Sequence, residues 1–99
     1  MRIDLLLSRL CLQKTRSQAA RACDEGRVWL NGQPARSSRE VRPGDHVRYL
    51  DRLGRVEEEV VILAIPQGSV SRIAAREMYR VIERRLPETG ATPPGRDGG

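Results

Sequence analysis

Residues 14–32 carry a helix start, a helix stop and a hairpin turn in quick succession, and that crowding leaves the first third of the chain little choice of fold. Thr15 followed by Gln18 is a capping-box pattern, in which the threonine oxygen accepts from a backbone N–H of the first turn. Gly26 supplies a residue free to take positive φ, which is how many helices stop. Asn31-Gly32 fits a type I′ turn, whose two central residues both need positive φ. The spacing therefore predicts a helix over 16–25, a strand over 28–30 and an antiparallel partner over 33–36, with Pro34 tolerable only at an edge. On a 3.6-residue wheel Ala19, Ala20, Ala22 and Cys23 share one face, while Ser17, Arg21, Asp24 and Glu25 share the other. A face of alanine and cysteine lets a neighbouring helix approach closely. The opposite corner, with Arg16 at its rim, is cationic and offers free backbone N–H groups, which suits a phosphate.

The neighbouring helix is the one before it. Residues 2–12 place Ile3, Leu6, Leu7 and Leu10 at i, i+3, i+4, i+7, and Asp4 falls in the first turn, where a carboxylate complements the helix dipole. Only Gln13 and Lys14 separate it from the Thr15 cap, so the two helices fold back on each other. Further on, Arg42-Pro43-Gly44-Asp45 reads as a turn and 46–50 as a strand with Val47 and Tyr49 on one face. A second hairpin turn is expected over 51–55 and a long strand over 56–65, its Glu57-Glu58-Glu59 run forming the exposed lip of an edge. Trp29, which alternates with Val28 and Leu30, could stack on a base or cover the second face of the hairpin, and covering is the expectation. After Pro66-Gln67-Gly68 a helix is predicted from Ser69 or Ser71 to about Arg85, with Ala74, Met78, Val81 and Ile82 as its apolar stripe. It would carry Arg72, Arg76, Arg80 and Arg84 as a solvated ladder and a second contact surface. The Gly-, Pro- and Thr-rich tail over 87–99 reads as disordered. The domain plan is thus 1–65, a helix over 69–86, and the tail.

Charge narrows the partners. The formal charge is +5, and the cations are all arginine except Lys14. Ten cations face five anions up to residue 50, whereas eight face eight afterwards, so the excess lies in the first half. That is the footprint of a nucleic-acid partner. No apolar run approaches the ~18 residues of a membrane span. His46 is the only histidine, and no zinc spacing, nucleophile elbow or phosphate-cradling loop is present, so neither an enzyme nor a cofactor, metal or small-molecule substrate is expected. Three aromatics are too few for serial base stacking. Cys11 and Cys23, both in apolar helical patterns, are expected as reduced core thiols, with a disulfide between the neighbouring helices as the alternative.

Four blocks resemble the S4 RNA-binding domain in order and separation: Arg-Ile-Asp-x-x-Leu (2–7), Leu-Cys-Leu-Gln-Lys-Thr-Arg-Ser-Gln-Ala (10–19), Glu-Gly-Arg-Val-Trp-Leu-Asn-Gly (25–32) and Val-Arg-Pro-Gly-Asp-His-Val (41–47). The resemblance implies an α+β fold with the αL-type RNA-binding motif, two packed helices followed by a small antiparallel sheet, here with a C-terminal helix added. It implies RNA contacts from Arg2, Lys14, Thr15, Arg16, Ser17, Gln18, Arg21, Asn31 and Gln33, with Arg9 and Arg36 as weaker additions. Cys11 stands where many relatives have glycine, and Leu5 where many stand-alone relatives have lysine. With no catalytic domain following, the chain is similar to the small stand-alone members of heat-shock and ribosome-quality-control type. These imply binding of rRNA and tRNA on the large ribosomal subunit, as a cytoplasmic monomer, in rescue of subunits obstructed by peptidyl-tRNA. Two other readings remain open: a helix-turn-helix that reads duplex DNA, and a protein adaptor that uses the C-terminal arginines.

Overall fold

A computed structural model describes residues 1–50 and 55–86. The turn expected over 51–55, all but Arg55, and the tail over 87–99 lie outside the described residues. Helix α1 spans Ile3–Arg9 and α2 spans Arg16–Asp24. Strands β1 (Val28–Leu30), β2 (Gln33–Pro34), β3 (His46–Leu50) and β4 (Glu57–Ile62) follow, then the short helix α3 (Arg72–Arg76) and β5 (Tyr79–Arg85). All strands pair antiparallel in one sheet ordered β2-β1-β3-β4-β5.

The helices form as the sequence predicts, and both stop in the same way. At the end of α2 the Gly26 N–H donates to the Cys23 carbonyl and the Arg27 N–H to the Ala22 carbonyl, with Gly26 at φ +76°. At the end of α1 the Cys11 N–H donates to Ser8 and the Leu12 N–H to Leu7, with Cys11 at φ +62°. Both are Schellman stops, normally closed by glycine. Because Cys11 occupies that left-handed position it points outward and is exposed, so the expectation of two core thiols is corrected: Cys23 is buried, and both are free.

One core joins the layers. Ile3, Leu6, Leu7 and Leu10 of α1 and Ala19, Ala22 and Cys23 of α2 meet Val28, Leu30, Val47, Tyr49, Val60 and Ile62 of the sheet. Each fully buried aliphatic side chain contributes about 1.5–3 kcal/mol. Asn31 and Gly32 take positive φ at the β1–β2 turn, as a type I′ turn requires. Two threads tie helices to sheet. The Ile3 N–H donates to Arg39 and the Val41 N–H to Met1, so the N-terminus lies along the loop after the hairpin. Buried Gln13 donates from its side-chain amide to the Leu50 carbonyl at 3.0 Å.

Two expectations need correction. The glutamate run is no exposed edge: β4 lies between β3 and β5, and every glutamate is paired. Glu58 is buried and takes the Tyr49 hydroxyl at 2.7 Å and Arg84 at 2.6 Å, while Glu57 pairs with Arg48 and Arg85 and Glu59 with His46. The predicted helix to Arg85 is instead the single helical stretch Arg72–Arg76 and the edge strand β5. Pairing of β5 with β4 sets Arg84 and Arg85 opposite Glu58 and Glu57, and this long-range match outweighs the local helix propensity. Trp29 covers the outer sheet face as expected, with the Arg48 guanidinium 4.8 Å from its ring centroid. The Arg48 Nε approaches Glu57 to 3.4 Å without hydrogen-bond geometry.

Candidate nucleic-acid interface

The N-terminus of α2 is built as the sequence implies. The Thr15 hydroxyl oxygen accepts from the Gln18 N–H at 3.0 Å, and the Ala19 N–H starts the helical ladder on the Thr15 carbonyl. The Arg16 and Ser17 N–H groups have no acceptor among the described residues. They and the positive end of the helix dipole face outward beside exposed Lys14, Arg16, Ser17, Gln18 and Arg21.

Asp4, whose place in the first turn of α1 suggests only a partner for the helix dipole, organises this corner. It is 3% exposed, yet both its oxygens are engaged. One accepts from the Leu5 N–H at 2.7 Å, and the carboxylate lies 3.3 Å from the Arg2 guanidinium and 3.5 Å from the Arg16 Nε. Both arginines remain about half exposed, at 48% and 49%. A guanidinium carries five N–H donors, so each keeps outward donors after bonding Asp4. The arrangement aims two arginines with one buried carboxylate. Its sequence signal is Arg-x-Asp at a helix start, with a second arginine at the next helix start.

The other implied contacts divide. Arg36 is exposed and adjoins Ser37, whose carbonyl accepts from the Asp4 N–H at 3.3 Å, so it belongs to the same corner. Asn31 and Gln33 lie at the tip of the β1–β2 hairpin, roughly 10 Å along β1 from where that strand begins. The Asn31 amide is committed internally, donating to Asp45 at 3.2 Å and accepting from the His46 N–H at 2.9 Å. Arg9, in the last turn of α1, stands roughly 10 Å along the helix from Arg2, away from the corner. Among the described residues no cluster of three or more His, Cys, Asp or Glu residues could hold a metal. The exposed cations and free N–H groups of this corner suit an anion.

Comparison with known proteins gives the same picture. The S4 domain family matches residues 1–47. The "RQC P-site tRNA stabilizing factor" of Helicobacter pylori (strain ATCC 700392 / 26695) is 44% identical over 68 residues, covering 67% of this chain and 76% of that protein. The protein of the same name from Bacillus subtilis (strain 168) is 32% identical over 91 residues, covering 89% of this chain and all of its own. Among solved structures, the trimeric heat shock protein 15 of Vibrio cholerae superposes with a TM-score of 0.75 at 31% identity, over 82% of this chain and 80% of that one. The solution structure of a hypothetical protein, HP1423, gives 0.67 at 38% identity, over 82% and 95%. With two capped helices leading into the antiparallel sheet and relatives matched along most of their length, this chain belongs to the S4 domain family.

Proposed function

We propose that this protein binds structured rRNA and tRNA on the large ribosomal subunit, without catalysis, in quality control of subunits blocked by peptidyl-tRNA. The observation that carries this is the corner in which buried Asp4 holds half-exposed Arg2 and Arg16 beside the free N–H groups of α2. Lys14, Arg16, Arg21 and Arg2 neutralise phosphates, with Arg36 beside them. Thr15, Ser17 and Gln18 add hydrogen bonds, and Gln33 reaches from the hairpin tip, where Asn31 keeps the turn in place. Folded RNA is recognised by shape, since the A-form major groove is too narrow to read. The names of the Helicobacter and Bacillus relatives, which specify P-site tRNA, support the ribosomal assignment. The protein acts in the cytoplasm as a monomer, with no cofactor. Among the described residues no helix is long and apolar enough to cross a membrane.

The test is sucrose-gradient sedimentation of the tagged protein and of Arg16→Ala from cell lysate. The wild type is expected with large subunits and the variant near the top. Its affinity for tRNA should fall by about 1–3 kcal/mol, the range for hydrogen bonds to charged groups. Unchanged sedimentation of a folded Arg16→Ala protein would overturn the reading. Association that survives complete nuclease digestion would replace it with a protein adaptor.

A further inference from the structure

The arginines misread as one helical ladder still converge. Arg72 and Arg76, four residues apart on α3, share a helix face, and with Arg80 and Arg84 of β5 they line an open cleft of about 630 Å³. Leu10, Cys11 and Leu12, just past the end of α1, line it too, with Cys11 exposed, as do Tyr49 and Glu58. Among the described residues that line it the only carboxylate is Glu58, already engaged by Arg84 and the Tyr49 hydroxyl. Arg72, Arg76 and Arg80 have no ion-pair partner among the described residues. Among the described residues, then, three guanidinium groups without an ion-pair partner line a concave site whose one carboxylate is already neutralised.

We propose that this cleft is a second contact for the RNA backbone, in which Arg72, Arg76 and Arg80 bind phosphates of the RNA whose neighbouring segment crosses the α2 corner. The assignment rests on the RNA-binding reading above. Continuity favours it: Cys11 in the cleft and Lys14 in the corner are three residues apart, so their Cα atoms lie within roughly 11 Å. Buried Gln13, bonded to Leu50, fixes the connection between them. Chemistry favours it too. Guanidinium forks match phosphate oxygens two at a time. Nucleic-acid interfaces are more polar and far more positively charged than protein interfaces, whose centres are depleted of charge.

Cys11 makes the cleft readable. Cys23 is buried and its thiol is pushed up to about 11, chiefly by burial, so a maleimide at neutral pH labels Cys11 alone. Bulk bacterial tRNA is expected to slow labelling of Cys11 in the wild-type protein several-fold. In the R72Q/R76Q variant, whose two sites are exposed on a short surface helix, that protection should be lost while binding through the corner persists. The slope of log affinity against log salt should flatten by about 1.4–1.8, at 0.7–0.9 per phosphate contact for two contacts. Tight tRNA binding with Cys11 still fully reactive, or an unchanged slope in R72Q/R76Q, overturns the cleft assignment and leaves the corner intact. Failure of the wild-type protein to bind tRNA overturns both. Stronger protection by poly-glutamate than by tRNA at matched charge overturns it in favour of an acidic protein partner.

Discussion

Asp4 and Arg16 meet across the seam between the first two helices: the buried carboxylate lies 3.5 Å from the Nε of an arginine that stays half exposed. Arg2 adds a second guanidinium to the same carboxylate at 3.3 Å. Long cationic side chains lose much rotamer freedom when they bind a phosphate, and a fixed carboxylate beneath them bears part of that loss in advance. Removing the negative charge at Asp4 would by itself strengthen attraction to RNA. Asp4→Asn is nevertheless expected to weaken tRNA binding, by roughly 3- to 10-fold, or about 0.7–1.4 kcal/mol. Fluorescence anisotropy at fixed salt measures this, and tighter binding by the variant would sink the positioning role.

Asn31 separates shape from contact. Its amide bonds both Asp45 and the His46 backbone, and its φ is +51°. Asn31→Gly keeps the backbone conformation available while removing both hydrogen bonds. The expected cost is about 1–2 kcal/mol of stability in urea denaturation, from two lost bonds at about 1 kcal/mol each. Affinity for tRNA should stay within about twofold, because Asn31 offers the RNA little beyond the turn it holds. A large loss of affinity with unchanged stability would make Asn31 a direct contact after all.

The α2 corner was legible because its signals are local. Thr15, Gly26 and Asn31-Gly32 each dictate a backbone conformation within a few residues, and all three take it. What escaped depends on distant pairing. Glu58 gave no hint that it would lie buried between Tyr49 and Arg84, which are 9 and 26 residues away. A four-residue arginine period suggested a long helix, yet opposite charges across β4 and β5 drew the chain into a strand. Counting charge by halves misled in the same way. Equal numbers of cations and anions after residue 50 look neutral, but the glutamates are paired on β4, and Arg72, Arg76 and Arg80 are left together.

Cys11 and Gly26 close the same hydrogen-bonded stop on successive helices, and only one of them is a glycine. A side chain in the left-handed region costs roughly 1–2 kcal/mol per residue. The exposed Cys11 side chain has little burial to offset that, and the greater freedom of glycine in the unfolded chain takes back part of the gain. Cys11→Gly is therefore expected to stabilise the protein by about 1 kcal/mol, read as a higher urea midpoint with unchanged slope. A destabilised variant would mean that the thiol makes a contact whose value exceeds the strain.

Cys23 sets the alkaline behaviour of the fold. Burial, followed by the nearby Asp4 and Asp24 carboxylates, disfavours its thiolate and raises it from about 9 to about 11. Tyr49 is raised in the same sense, first by burial and then by its bond to Glu58. Below about pH 9 the thiol is neutral in both the folded and unfolded chain, and its contribution to stability is fully present. Between about 9 and 11 the unfolded chain releases this proton while the folded chain keeps it, so stability falls as pH rises. Cys23→Ala, a small change on a face already made of alanine, should flatten that decline between pH 9 and 10, with Tyr49 and Tyr79, both raised first by burial, responsible for what remains at higher pH. Urea midpoints at half-unit pH steps measure both curves. Parallel curves for the variant and the wild type would show that Cys23 titrates in the folded chain as it does in the unfolded one.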